Sequence, residues 1–302
     1  MNTGWRVIDC SALEGSIRYR RGRLVIQKGP DEFDVPLAQV AVLLIGTKTG
    51  ISGAVLAKLS ELDVAVLVCD WRSIPVAGAL PWREHTRVGA RQRAQAELAL
   101  PKKKAAWKAI IKAKIYGQAR AADAIVPDTA HQLAEIVKSV RSGDTDNCEA
   151  QAARIYWSLL RREGFSSRNP GSRSGINGGL DYGYTLLRGY GIRAVTSAGL
   201  AGSLGVFHRG RGNAFALVDD LIEPFRPMVD YIVFREWGTS EELTKELKTQ
   251  IAAGFERPFS RSGKTIPTVF VEFAQLYGKY VELDVPTLDV PKWDGELNAS
   301  ER

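Results

Sequence analysis

Near Pro81 the texture of the chain changes, and that change constrains the fold more than any other feature. Before it, short runs rich in Val, Ile, Leu and aromatic residues recur: WRVID (5–9), SIRYR (16–20), RLVIQ (23–27), VAVLLIG (40–46), AVLVCD (65–70) and IPVAGAL (74–80). Turn material such as RRGR and KGPD separates them, which is the pattern of strands. One segment, ISGAVLAKLSELD (51–63), sets Val55, Leu56, Leu59 and Leu62 on one side of a short helix. Beyond Pro81 come long stretches rich in Ala, Lys, Arg and Gln, residues that favour helix. The expected fold class is α+β: a small N-terminal β-sandwich-like domain, paired antiparallel rather than as a parallel α/β sheet, followed by a larger all-α domain. The boundaries are read as 1–82 for the β-rich domain and 83–285 for the helical one. Residues 286–302 mix prolines, acids and small polar residues and read as a flexible tail.

Helices are expected in REHTRVGARQRAQAELAL, KKKAAWKAIIKAKIYGQARAADAI, TAHQLAEIVKSVRS, EAQAARIYWSLLRRE, DYGYTLLRGYG, TSAGLAGSLG, FALVDDLIEPFRP, TSEELTKELKTQIAAGF and PTVFVEFAQLYGKYVE. In the eighth, Thr239 or Ser240 precedes Glu241 and Glu242, an N-cap signal. RNPGSRSGINGG (168–179) is dense in Gly, Ser, Asn and Arg and reads as a long loop, a kind of segment that is often functional. GTKTGISG (46–53) lacks both the Lys-Ser/Thr of a phosphate loop and the spacing of a dinucleotide fingerprint; it reads as a strand-to-helix turn with glycines at positive φ.

Composition narrows the function classes. The 302 residues are 45% hydrophobic and 25% charged, as in globular proteins, and carry a net charge of +7, compatible with a polyanionic partner. Cys10, Cys69 and Cys148 are scattered and form no disulfide framework, which points to a reducing, cytoplasmic setting. The N-terminus lacks a signal-peptide h-region, and no run of about 18 apolar residues offers a membrane span.

Three places concentrate chemistry. In FALVDDLIEPFRP, Asp220 and Glu223 are three apart and share a helix face, and Pro224 must kink or end the helix beside them. The other reading is a frayed, solvated helix end. Glu149 completes a capping-box pattern with Asp146, yet it also begins the apolar face of Ala152, Tyr156 and Leu159, where a lone charge is costly. His208 precedes a Gly- and Arg-rich turn that leads into the acidic helix. Glu149, His208 and Glu223, with Asp220 alongside, make a mixed O/N donor set suited to Mg²⁺ or Mn²⁺ and to metal-assisted attack on a phosphodiester.

E-A-x-x-A-R-x-Y-W from Glu149 and H-x-x-x-x-N-x-x-x-L-x-x-D-L-x-E-x-F-R-P-x-V-D from His208 resemble the CRISPR-associated spacer-acquisition integrase, the founding Cas nuclease of the adaptation module. G-T-K-T-G-I-S-G-A-V-L resembles that family's β domain, and W-K-A-I-I-K-A-K-I-Y-G-Q-A its first long helix in a type II-like form. The resemblance implies a helical catalytic domain and a metal-dependent endonuclease and integrase. Such an enzyme is expected to join the 3′-OH ends of short foreign DNA fragments to a repeat array by transesterification. It also implies catalytic and metal-binding roles for Glu149, His208 and Glu223, and a less consistent one for Asp220. The partners it implies are double-stranded DNA, a homodimer formed through the N-terminal domains, and a small ferredoxin-like protein in a heterohexamer, with a type II effector and accessory proteins beyond. One departure is Asp181, which stands where family members carry an asparagine. Lys104, Lys108 and Lys112 recur on one helix face, and Arg161, Arg162, Arg168 and Arg173 flank the polar loop; these are the candidates for tracking DNA, against the plain reading of a solvated face. Two rival functions are kept: a structure-selective DNase on branched DNA, and a non-catalytic DNA-binding scaffold.

Overall fold

All seven residues of Val40–Gly46 are buried, and the N-terminal region is organised around them. In the computed structural model, which describes residues 6–71, 75–81, 86–161, 165–172, 174–238 and 242–295, the first elements are strands. They are β1 (Arg6–Cys10), β2 (Gly15–Arg20), β3 (Arg23–Lys28), β4 (Asp31–Pro36), β5 (Val40–Gly46) and β6 (Thr49–Ile51). Helix α1 (Gly53–Glu61) leads to β7 (Ala65–Cys69) and β8 (Pro75–Ala79). They form two four-stranded sheets, ordered β1-β5-β7-β8 and β4-β3-β2-β6.

The expected antiparallel pairing holds for β2–β3–β4 and for β7–β8, but β1–β5, β5–β7 and β2–β6 are parallel. The reason for β5–β7 is α1, which carries the chain back to the starting edge as a crossover. β5 alternates as a strand buried on both faces must. Leu43 and Ile45 face the core between the sheets, while Val42 and Leu44 join the core of the helical region. Gly46 does not take positive φ; a Cβ there would lie 2.0 Å from the Ser11 carbonyl oxygen, so close approach to the backbone just after β1 explains the glycine.

The helical region comprises α2 (Val88–Glu97), α3 (Leu100–Ile125), α4 (His131–Ser139), α5 (Cys148–Leu159), α6 (Gly175–Ser197), α7 (Ala216–Leu221), α8 (Arg226–Trp237), α9 (Lys245–Gly254) and α10 (Ile266–Val281). α6 starts at Gly175, so the polar loop is shorter than expected, and TSAGLAGSLG is not a separate helix beyond the end of α6. The expected cap residues Thr239 and Ser240 lie outside the described residues; Thr244 caps α9, accepting from Leu247 N.

The tail also differs from expectation over 286–295. Leu288, Val290 and Trp293 are buried, Trp293 packs 5.1 Å from the Tyr231 ring, and Asp294 accepts hydrogen bonds from Tyr116 and Arg120 of α3. Its prolines and polar residues alternate with these apolar anchors, which hold it down. Residues 296–302 lie outside the described residues.

α6 is rich in glycine because it must approach α8 closely. A Cβ on Gly179 would meet Trp237 at 2.5 Å, and one on Gly183 would meet Val229 at 2.6 Å. Overpacking of this kind costs about 1–3 kcal/mol, against about 1 kcal/mol gained from helix propensity. Gly179→Ala is therefore expected to lower stability in denaturant unfolding; a variant more stable than wild type contradicts this packing account.

Candidate active site

Three distant segments bring the sequence-predicted acids and histidine together. Glu149 lies in the first turn of α5, whose amide groups are capped by Asp144, not by Asp146: Cys148 N and Glu149 N donate to the Asp144 carboxylate at 2.8 and 3.0 Å. Asp146 instead pairs with Arg141 at the surface, which frees Glu149 from the expected capping box and points it inward. Pro224 does end a helix. α7 stops at Leu221, and Glu223–Phe225 form a 3₁₀ turn before α8. This turn puts Glu223 in the interior, 4% exposed, rather than on a frayed end. His208 comes from the loop between α6 and α7. Glu149, His208 and Glu223 all line one cleft of about 720 Å³.

Asp220 has a different place from the one expected of a ligand. It is fully buried, and its two oxygens accept from Phe207 N at 2.9 Å, His208 N at 3.3 Å and the His208 Nδ1 at 2.5 Å. With its carboxylate committed to the histidine loop, Asp220 orients His208 and leaves Nε2 for the cleft. The hydrogen bond to Asp220 also raises the His208 pKa above its ordinary value, against the opposing effect of partial burial.

Two partly buried cations answer the acids. Lys114 of α3 places Nζ 2.6 Å from Glu149 Oε1 and 2.5 Å from Glu223 Oε2. Arg226 Nε lies 3.0 Å from Glu223 Oε1, with its guanidinium 4.7 Å from the Tyr184 ring centre. Burial alone pushes the Glu223 pKa up, but Arg226 and Lys114 outweigh it and hold the carboxyl below its ordinary value. Among the described residues, no three His, Cys, Asp or Glu side chains are already arranged as a ligand shell; the Lys114 ammonium stands between the two glutamates.

Beneath this layer lies Asp230, 2% exposed, accepting from Tyr156 at 3.1 Å and from Tyr184 at 2.5 Å. On the cleft wall Arg188 makes a two-pronged pair with Asp219 at 3.0 and 3.2 Å, and Asn213 donates to the same carboxylate. Arg168 is bound to Asn177 and Asp181 and stacks over Tyr184. Asp181, the departure from the family pattern, thus has a local role: it pairs with Arg168 and accepts from Gly171 N at 2.7 Å. Arg162 and Arg173 lie outside the described residues, and Arg161 is exposed. Lys104, Lys108 and Lys112 are on α3, and none lines the cleft. Lys104 instead borders a smaller pocket with Lys103, Trp107, Phe207 and Arg209.

Sequence reasoning missed Lys114, Arg226, Arg188 and Asp230. For Lys114 a signal existed: it continues the buried stripe of Trp107, Ile110 and Ile111 at helical spacing.

Comparison with known proteins bears on the chain as a whole. Residues 12–248 match the family described as CRISPR associated protein Cas1. The CRISPR-associated endonuclease Cas1 of Neisseria meningitidis serogroup C (strain 8013) is 35% identical over 242 residues, covering 78% of this chain and 79% of that protein. A casposase bound to integration product is 20% identical and superposes with a TM-score of 0.76, covering 99% of this chain and 97% of the casposase. A Cas6-RT-Cas1–Cas2 complex gives a TM-score of 0.75 at 16% identity, covering 99% of this chain and 37% of that longer one. At these identities the two structures speak for the fold.

Burial raises the Asp230 pKa to about 6, against the hydrogen bonds from Tyr184 and Tyr156. An acid whose folded pKa is raised takes up its proton in the folded state first. Its contribution therefore falls as pH rises through the window from the unfolded value near 4 to about 6, by on the order of 2–3 kcal/mol. Relative to Asp230→Asn, the wild type is expected to gain stability between pH 7 and pH 4 in urea unfolding. A difference independent of pH removes this reading of Asp230.

Proposed function

We propose a function from one premise: the chain belongs to the family of the CRISPR-associated protein Cas1. It is a DNA nuclease and integrase that joins the 3′-OH ends of short DNA fragments to a repeat array. The reaction exchanges one phosphodiester for another, so it needs no external energy source. The observation that carries this reading is the convergence of Glu149, His208 and Glu223 on one cleft. The name of the Neisseria relative as an endonuclease, and the integration product held by the casposase, support cutting and joining as the two sides of one chemistry.

The residues present fit a hard divalent cation, Mg²⁺ or Mn²⁺. Two carboxylates and one imidazole suit such an ion, and the carboxylates of Glu149 and Glu223 already share one cation, the Lys114 ammonium. Glu149, His208 through Nε2, and Glu223 would hold it. Bound there, the ion supplies charge neutralisation at the phosphoryl oxygens and a lower pKa for the attacking hydroxyl. Asp220 keeps the His208 proton on Nδ1 and the ring fixed. Arg226, held against Tyr184, and Arg188 on the wall add positive charge that draws a phosphodiester into the cleft.

Double-stranded DNA is the substrate, and a small ferredoxin-like protein is the partner, a reading supported by the Cas1–Cas2 neighbour. In the type II-like form proposed, the assembly is a heterohexamer that works with an effector and accessory proteins. Self-association through the N-terminal sheets agrees with exposed Tyr19 and Phe33 on the outer sheet.

A half-site joining assay with a 3′-OH fragment, a repeat-containing duplex and Mg²⁺ or Mn²⁺ tests the reading. Glu149→Gln and His208→Ala are expected to lose joined product by about a hundredfold or more, and Asp220→Asn by about 10–100-fold through loss of histidine orientation. Normal joining by Glu149→Gln in Mn²⁺ would falsify the assignment. Hydrolysed ends with no joined strands would move the function to a structure-selective DNase.

A further inference from the structure

The side chain of Lys114 is 11% exposed and its ammonium contacts one oxygen from each of the two glutamates. The position is built, not incidental. Close crossing of α3 and α8 brings it about: a Cβ on Gly117 would lie 3.0 Å from Pro227, so the glycine lets the α3 backbone run near the turn that carries Glu223. The charge balance explains why a cation is needed. Glu223 and Asp220 are buried, with Glu149 partly buried beside them, and carboxylates so placed must be paired. A divalent cation would be held by these same two carboxylates. An ammonium at 2.5 and 2.6 Å from those atoms competes with such an ion for the same lone pairs.

We propose that Lys114 is the resident cation of this site. In the metal-free protein it holds Glu149 and Glu223 together, and it competes with the divalent ion for their oxygens. When the ion takes them, the Lys114 ammonium turns to the cleft and donates to a phosphodiester oxygen. Ion and DNA then assist each other, because each favours the displaced lysine. This inference rests on the cation reading above and adds a residue to it.

Mn²⁺ binding to the full-length, metal-free protein tests it, followed by calorimetry and by the paramagnetic resonance of free Mn²⁺. One hydrogen bond to a charged group is worth a factor of about ten or more. Without DNA, Lys114→Met is expected to bind Mn²⁺ at least about tenfold more tightly than wild type. Its unfolding temperature is expected to be lower without metal and to recover with Mn²⁺. Added duplex DNA is expected to tighten Mn²⁺ binding to wild type but not to Lys114→Met. A folded Lys114→Met whose Mn²⁺ affinity equals or falls below that of wild type overturns the proposal and leaves the cation site standing. Absence of any Mn²⁺ uptake sensitive to Glu149→Gln, in both proteins, overturns the cation reading and this proposal with it. A readout on the wild type serves if the variant does not fold. In ¹⁵N-lysine spectra, a protected ammonium signal is expected in metal-free protein and is lost on saturation with Mg²⁺. A signal that persists at saturation overturns the competition.

Discussion

Like charges cannot be buried together without compensation, and the helical region is arranged around that constraint. Glu149, Glu223 and Asp220 converge from two helices and a turn, and each is answered locally: Lys114 bridges the glutamates, Arg226 flanks Glu223, and the His208 loop closes on Asp220. The attraction within a pair in the interior is large, but so is the cost of taking its members out of water. The arrangement is therefore weak evidence of stability for its own sake and better evidence of chemistry. Carboxylates brought this close, on the wall of an open cleft, are kept for what they can hold.

The surrounding packing serves this geometry. Phe225, two residues beyond Glu223, is fully buried and stacks on Phe270 at 4.6 Å, which fixes the turn from behind. The glycines of α6 let α8 approach, so Tyr184 of α6 and Asp230 of α8 meet under Arg226. Arg193 of α6 reaches the turn before β7 and bonds to Asp63, tying the helices to the first sheet. Arg188 on the wall is satisfied in advance as well, held by Asp219, and Arg168 is held by the lining residue Asp181. They offer charge in fixed directions, not on mobile stems.

The division into a β-rich start and a helical remainder was legible because both signals are local: strand-length apolar runs, then helix-forming composition. The direction of pairing was not, since nothing within β1 or β5 says which strand lies beside it. α8 escaped notice because RPMVDYIVFREW is buried nearly all round and shows no amphipathic period. The start of α6 was hidden by glycines that resemble loop chemistry but serve helix contact. Glu149, His208 and Glu223 could be picked out by type and motif, and they do share a cleft. Asp220 shares their neighbourhood but faces the histidine, a distinction that depends on backbone amides no sequence pattern displays. Lys114 was masked by its neighbours, as Lys108 and Lys112 made the helix look like a solvated basic face.

The last described segment closes over the helix that carries Lys114. Lys102 donates to the Pro286 carbonyl, Tyr116 and Arg120 bond to Asp294, and Trp293 fills the space beside Tyr231. Ribosomes deliver a chain from its first residue onward, and domains fold as units once complete. Here the clasp on α3 is made by residues 174 to 184 positions further along the chain. The helix that carries Lys114 is therefore clasped only once the chain has been made at least as far as Asp294.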